Sequence, residues 1–233
     1  MKYFIIGDVH GCYKTLKALV DSLPINKVED TIIFIGDLFD RGKESYEAWK
    51  YVCSLIEDYG DDRCIVIRGN HEDMLIRYFE QHDTDWKLNG YMQTIESFNK
   101  NNVPMMEIKE WVKNNTMLFY KTDLFSVCHA GRYEEHIEDE SEDTLIWSRA
   151  SVWHNCYSGG LTVVGHTPEK EPFYLPGDAK TCETLKYGYL YEPLKYGIID
   201  IDTGCVFNNK LTAIGFHEDG KFELFYASPK TKA

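Results

Sequence analysis

Five short groups of polar residues, each directly after an apolar run, carry side chains capable of metal or acid–base chemistry. They are Asp8-x-His10, Asp37-x-x-Asp40-Arg41, Asn70-His71-Glu72, His129 and His166. Imidazoles, carboxylates and an amide oxygen suit Mn²⁺, Fe²⁺ or Zn²⁺ better than Ca²⁺. Six candidate ligands are too many for one ion with an open position, and they fit two ions about 3.5–4 Å apart that share a carboxylate. The six are Asp8, His10, Asp37, Asn70, His129 and His166.

The apolar runs that precede these groups are predicted β-strands. Strands at 3–6, 31–35 and 64–67 alternate with helical spacing at 16–23 and 44–58, which predicts a parallel βαβαβ unit buried on both faces. Further strands are predicted at 124–128 and 161–164, and 74–120 is expected to be mostly helical. An all-β tail follows at 197–202, 211–216 and 222–227. Because ligands bind beyond the carboxyl ends of strands in open α/β sheets, all five groups are expected to converge.

Length, charge and cysteine content exclude several classes of protein. A chain of 233 residues with 43% hydrophobic residues suits a single domain spanning 1–233. The net charge of −13 argues against a nucleic-acid binder, and no apolar run approaches the roughly 18 residues of a membrane span. Seven scattered cysteines without a Cys-x-x-Cys pair argue against a disulfide framework or thiolate zinc site, and favour reduced thiols in the cytoplasm.

Each group also has a structural interpretation. A single histidine or aspartate after a strand is more often a turn or capping residue. Arg41 and Arg68 are equally compatible with surface salt bridges, and Glu72 fits a helix N-terminal carboxylate better than a ligand. The acidic run 133–143 is interpreted as a solvated loop, with a collar for basic peptides as the alternative. The tyrosine-rich stretch 168–196 is a candidate specificity loop, with Tyr packing over a sheet as the alternative.

Taken together, the motifs resemble a known enzyme family. GDVHG (7–11), GDLFDRG (36–42), GNHE (69–72), CHAG around His129 and VVGHT around His166 are similar to the phosphoprotein phosphatase family of calcineurin-like metallophosphoesterases, especially its compact bacterial and phage members. The resemblance implies an α/β (α+β) fold, a four-layer αββα sandwich of two mixed sheets flanked by helices.

The resemblance also implies a role for each motif residue. Asp8 and His10 would bind a first metal, Asp37 would bridge both metals, and Asn70, His129 and His166 would bind the second. A hydroxide between two divalent ions, Mn²⁺ foremost with Fe or Zn as alternatives, would attack phosphorus in line. His71, paired with Asp40, would be the general acid. The phosphoryl oxygens would be held by Arg41, Arg68, Arg149 and Asn70.

Three functions remain open at this level. The first is a phosphomonoesterase acting on phosphoserine or phosphothreonine in proteins, with dual specificity as an extension, because Asp40 is present and the third motif ends in Glu72. The second is a dinucleoside polyphosphate hydrolase of the diadenosine tetraphosphatase type, which shares the two-metal core. The third is an inactive binding module, which is expected to lack a ligand or the general acid. The partner is thus a phosphoprotein or a small phosphoester, and the oligomeric state is open.

Overall fold

The computed structural model describes residues 1–149, 159–177 and 181–229, and within them the strands form two six-stranded sheets. The first sheet has the order β3-β2-β1-β11-β12-β9 and the second the order β4-β5-β6-β10-β7-β8. The strands are β1 Lys2–Ile6, β2 Thr31–Phe34, β3 Cys64–Val66, β4 Phe119–Lys121, β5 Ser126–Cys128, β6 Leu161–Val164, β7 Phe173–Leu175, β8 Glu183–Thr184, β9 Leu190–Tyr191, β10 Gly197–Asp200, β11 Leu211–His217 and β12 Phe222–Ala227.

Both sheets are mixed, and each has a parallel part that carries the predicted motifs. Strands β1, β2 and β3 are parallel neighbours, as the βαβαβ pattern predicts. In the second sheet β5, β6 and β10 are parallel. The remaining pairs are antiparallel, including β1 with β11 and β11 with β12. The chain therefore places five strand ends, three in one sheet and two in the other, at one edge of the molecule.

Most helices lie in the first two thirds of the chain. The predicted helical segment 74–120 is interrupted by a short 3₁₀ helix at Asp85–Leu88 and by the break at 101–104, and it ends in β4. The described helices are α1 Tyr13–Ser22, α2 Ser45–Tyr59, α3 Asn70–Gln81, α4 Tyr91–Lys100, α5 Met105–Asn115 and α6 Glu142–Trp147. Among these helices, none has the length and apolar character needed to cross a membrane.

The alternation of side chains along the strands builds the layers. In β1, Phe4 and Ile6 face the core under the helices, whereas Ile5 faces the core between the two sheets. Ile199 of β10 lies in that same inter-sheet core, and Leu145 of α6 packs on the outer face of the second sheet. The order of layers is helices, sheet, sheet and helix, so the predicted sandwich fold is confirmed.

The stretch 168–196 supplies strands to both sheets instead of forming one long loop. It contains β7, β8 and β9, and residues 178–180 lie outside the described part. The Tyr174 hydroxyl donates to the Tyr196 carbonyl (2.9 Å), and the Tyr191 ring stacks on Phe222 with centroids 4.9 Å apart. These tyrosines therefore pack on the sheets.

The acidic run 133–143 is more ordered than a solvated loop. It includes a 3₁₀ helix at Ile137–Asp139 and the start of α6, and Ile137 is buried. The Glu140 carboxylate accepts hydrogen bonds from the backbone N–H groups of Tyr133 and Glu134. Six of the seven cysteines are free thiols, and Cys156 lies outside the described residues.

Candidate active site

The predicted ligands meet where the parallel strands of the two sheets end. Asp8 follows β1, Asp37 follows β2, and Asn70 opens α3 shortly after β3. His129 and His166 follow β5 and β6 of the other sheet. All of these side chains are buried, as is His10. The cluster thus joins residues from both sheets.

Asp37 lies between two imidazoles. Its Oδ2 is 3.4 Å from His10 Nε2, and its Oδ1 is 3.4 Å from His129 Nε2. Each imidazole donates its Nδ1 proton to a backbone carbonyl, His10 to Phe39 (2.8 Å) and His129 to Ile35 (2.9 Å). Burial lowers the pKa of both rings, that of His10 to about 3, so both are neutral. Each carboxylate oxygen of Asp37 therefore lies near an imidazole Nε2 that carries no proton, and a divalent ion held at each such pair of atoms would make Asp37 a bridging ligand.

Asn70 completes a second group of lone pairs. Its Oδ1 lies 3.0 Å from His129 Nε2 and 2.8 Å from His166 Nδ1. Because the His129 proton is on Nδ1, the amide oxygen and His129 Nε2 face one another with no hydrogen between them. Burial and the neighbouring His129 lower the pKa of His166, whose ring also hydrogen-bonds to the backbone of Trp147. A bound cation stabilises such a convergence of lone pairs.

Asp8 provides the most direct sign of a cation site. Its Oδ2 accepts a hydrogen bond from the His166 backbone N–H (3.1 Å), whereas its buried Oδ1 has no hydrogen-bond partner in the described structure. Burial, with the carboxylates of Asp202 and Asp37, raises the pKa of Asp8 well above its usual value. Ligand atoms lie within 4.8 Å of one another in the sets His10–Asp37–His71 and Asp8–Asp37–His129. Each of these sets could hold a divalent ion, and Asp37 belongs to both.

The backbone at the site is unusual. Eight non-glycine residues in the described ranges have positive φ, and five of them carry predicted site side chains. Left-handed backbone costs about 1–3 kcal/mol at a non-glycine residue, and such residues cluster at functional sites. The five are His10, Asp37, Asp40, Arg41 and His166. A Cβ atom on Gly165 would collide with Asp8 Oδ1, which explains the glycine that precedes His166.

Glu72 holds the loop that carries Asp37. Its Oε2 accepts from the backbone N–H groups of Asp37 (2.8 Å) and Gly69 (3.0 Å), and its Oε1 accepts from that of Leu38 (2.9 Å). Glu72 is fully buried, and burial together with Asp37 raises its pKa to about 7. The carboxylate therefore joins the tip of β2 to the start of α3, a link that its position in α3 alone does not reveal.

His71 and Asp40 form a buried pair beside the ligands. His71 Nδ1 lies 2.7 Å from Asp40 Oδ2, and its Nε2 is buried with no hydrogen-bond partner among the residues described. Burial opposes the charged ring, but the carboxylates of Asp37 and Asp40 raise the pKa of His71 above its usual value. An imidazolium whose Nε2 faces the ligand cluster can donate a proton to a leaving group.

Two residues that the sequence did not single out for function orient Asp40. Trp86 Nε1 donates to Asp40 Oδ2 (2.7 Å), and Thr94 Oγ1 donates to Asp40 Oδ1 (2.6 Å). Trp86 lies in the 3₁₀ helix and Thr94 in α4, 46 and 54 residues from Asp40. From the sequence, Trp86 is predicted only to pack, and no local motif marks either residue.

The three arginines differ in their contacts. Arg41 Nη1 lies 2.6 Å from His10 Nε2, so the guanidinium and a metal ion compete for the same lone pair. Arg149 Nη1 donates to the His166 carbonyl (2.9 Å), next to the ligands. Arg68 instead donates to Thr116 (3.1 Å) and forms a 3.2 Å ion pair with Glu142, as the salt-bridge alternative for this residue predicts.

Comparison with known protein families agrees with this geometry. The model of the calcineurin-like phosphoesterase family matches residues 1–190 of the chain. The chain belongs to the calcineurin-like phosphoesterase family. This phosphoesterase is therefore a hydrolase.

The phosphoesterase is also similar to named relatives along most of its length. It is 30% identical to the asymmetrical bis(5'-nucleosyl)-tetraphosphatase PrpE of Oceanobacillus iheyensis, over 94% of this chain and 90% of that protein. It is likewise 30% identical to the PrpE of Bacillus subtilis, over 94% and 92%. In fold it is similar to a protein serine/threonine phosphatase from Saccharomyces cerevisiae, with a TM-score of 0.68 at 13% identity, covering 100% of this chain and 81% of the yeast chain.

Proposed function

We propose that this phosphoesterase hydrolyses dinucleoside tetraphosphates asymmetrically, to a nucleoside triphosphate and a nucleoside monophosphate. The observation that carries the substrate class is the 30% identity, over at least nine tenths of each chain, to relatives named as asymmetrical bis(5'-nucleosyl)-tetraphosphatases. The reaction class rests on the buried ligand cluster and the His71–Asp40 pair. The sequence offers a dinucleoside polyphosphate only as the alternative to a phosphoprotein substrate, and we prefer this alternative.

The two residues that favoured a protein phosphatase do not distinguish the substrates. Asp40 orients His71, and a proton donor serves the cleavage of either kind of phosphoester. Glu72 is fully engaged with three backbone N–H groups, so its side chain acts on the fold of the loop and not on a substrate. Neither residue selects a phosphoprotein.

In this proposal Asp8, His10 and Asp37 would hold one divalent ion, and Asp37, Asn70, His129 and His166 would hold the other. When bound, such ions lower the pKa of water and offset the negative charge of the phosphates. We propose that both ions are Mn²⁺, because a mixed set of imidazole and oxygen ligands suits this metal. Fe and Zn are the alternatives.

Side chains of the protein supply the proton and bind the phosphates. His71 donates its Nε2 proton to the leaving phosphate oxygen, and Asp40 keeps the ring charged and oriented. Arg149 lies beside His166 and binds phosphoryl oxygens, and Arg41 does the same once a metal ion has displaced its guanidinium from His10 Nε2. Arg68 contributes only if it leaves Glu142. We propose the cytoplasm as the location, where thiols stay reduced and nucleotides are abundant.

The test is turnover by metal-stripped protein with and without Mn²⁺. Diadenosine tetraphosphate, a phosphoserine peptide and a phosphotyrosine peptide are assayed side by side, with chromatography of the nucleotide products. We expect Mn²⁺-dependent formation of ATP and AMP in equal amounts. Two molecules of ADP would contradict the asymmetry, and turnover confined to the peptides would return the protein to the phosphatase interpretation. Bound Mn²⁺ without any turnover would favour a binding module, and Asp37→Asn is the inactive control.

A further inference from the structure

Phe207 presents an exposed aromatic ring close to the ligand cluster. The residue ends the 3₁₀ helix Cys205–Phe207, and 61% of it is exposed. We propose that Phe207 stacks against the nucleobase of the nucleotide whose phosphate is held at Arg41, an inference that rests on the proposed nucleotide substrate. It names a specificity residue that the motifs do not contain.

The turn that carries Phe207 is built on buried residues. The Gly204 N–H donates to Asp202 Oδ1 (3.0 Å), and the Thr203 hydroxyl donates to the Lys210 carbonyl (2.8 Å). Gly204 and Asn208 flank the helix with left-handed φ values of 66° and 64°. The backbone under the ring is therefore fixed from both sides. A ring held on such a backbone loses little entropy when a ligand stacks on it.

Arg41 connects the ring to the chemistry. Its guanidinium carbon lies 5.8 Å from the centre of the Phe207 ring, and its Nη1 lies 2.6 Å from His10 Nε2. These two distances and one guanidinium C–N bond place the ring centre no more than about 10 Å from the His10 ligand atom. In this series of contacts Arg41 lies between the proposed metal ligand His10 and the aromatic ring of Phe207.

That order matches the parts of a nucleoside 5'-phosphate. The phosphate belongs at the metal ligands and Arg41, one ribose spans the gap, and the base reaches Phe207. Every nucleobase has a π-face, so stacking on phenylalanine gives affinity without demanding a particular base. The ring also offers no hydrogen-bond donor or acceptor, so it favours a nucleobase over the polar backbone of a phosphopeptide.

The experiment compares two inhibitors that share phosphates but differ in the base. Inhibition constants of ADP and inorganic pyrophosphate are measured against p-nitrophenyl phosphate hydrolysis by the Mn²⁺-loaded protein. Phe207→Leu keeps an apolar side chain, Phe207→Trp enlarges the ring, and Tyr189→Leu is the matched control. Tyr189 is 60% exposed and lies under the Lys186 ammonium, but it sits by the edge strand β9.

We expect Phe207→Leu to raise the inhibition constant of ADP by about fivefold to 100-fold. The constant for pyrophosphate should change less than twofold, Phe207→Trp should retain ADP binding, and Tyr189→Leu should change neither constant. An unchanged ADP constant in Phe207→Leu, or an equal rise for both inhibitors, would overturn the proposal. Selective loss of ADP binding in a protein that does not cleave diadenosine tetraphosphate would support Phe207 while rejecting the proposed function.

Discussion

His71 Nδ1 and Asp40 Oδ2 lie 2.7 Å apart, and neither side chain is exposed to solvent. The pair comes from two motifs on different strand ends, and it turns His71 Nε2 toward the metal-ligand cluster. Asp40 is in turn held by Trp86 and Thr94. Buried hydrogen bonds therefore fix the orientation of the His71 ring before any substrate binds.

Replacing His71, the proposed general acid, should slow most the hydrolysis of substrates with poor leaving groups. We expect His71→Asn to slow hydrolysis of an alkyl phosphate by about 100-fold to 10,000-fold. The loss should be smaller for p-nitrophenyl phosphate and for diadenosine tetraphosphate, whose leaving groups need less protonation. Steady-state kinetics with the three substrates measures the difference. His82→Asn is the matched control, since His82 is exposed and its left-handed backbone suits asparagine. Equal losses on all three substrates would reject the acid role.

Removing one hydrogen-bond donor to Asp40 should lower the stability of the fold. Trp86→Phe keeps the ring in the core but leaves Asp40 Oδ2 with one hydrogen bond fewer. We expect the free energy of unfolding to fall by about 1–3 kcal/mol, measured by urea denaturation. Trp49→Phe is the control because, within the described residues, its buried Nε1 has no hydrogen-bond partner. A control variant that loses as much stability would show that the indole volume matters and not the bond to Asp40.

Glu72 offers a graded test of the link between β2 and α3. Glu72→Gln keeps one accepting oxygen and should cost about 1–3 kcal/mol, because one of the three backbone N–H groups loses its partner. Glu72→Ala leaves all three N–H groups without a partner and should lower the free energy of unfolding more than Glu72→Gln does. Both variants should also weaken Mn²⁺ binding, measured by calorimetry, since the Asp37 loop is released. If both variants bind Mn²⁺ with wild-type affinity, Glu72 does not support the metal site.

Metal binding should stabilise the fold. Asp8, Asp37 and Asp202 are buried close together, and a cation relieves their repulsion. At 100 times the dissociation constant, a ligand adds about 2.7 kcal/mol. For a chain of this size we expect Mn²⁺ to raise Tm by about 5–10 °C, and a chelator to reverse the rise. Asp37→Asn should abolish most of the rise and the surface control Asp219→Asn none of it. An equal rise in both variants would place the binding elsewhere.

The sequence alone predicted most of the fold and the set of candidate metal ligands. The strands and their terminal motifs are local patterns: an apolar run of four or five residues is followed within three residues by a polar side chain, which a glycine precedes in four of the five cases. Because parallel strands share an edge, Asp8, His10, Asp37, Asn70, His129 and His166 could be expected together. The pairing of His71 with Asp40 was predicted only from the family resemblance.

Only the tertiary structure identified the residues that position other site residues. Trp86 and Thr94 reach Asp40 from other elements, and Arg68 is held by Glu142, 74 residues away. The segment 168–196 lies on both sheets because its strands pair with β10 and β12, which follow it in the chain. Strand periodicity and motifs are properties of neighbouring residues, so the sequence displays them. Hydrogen bonds between distant elements depend on how helices settle on a sheet, and only the packed chain determines that.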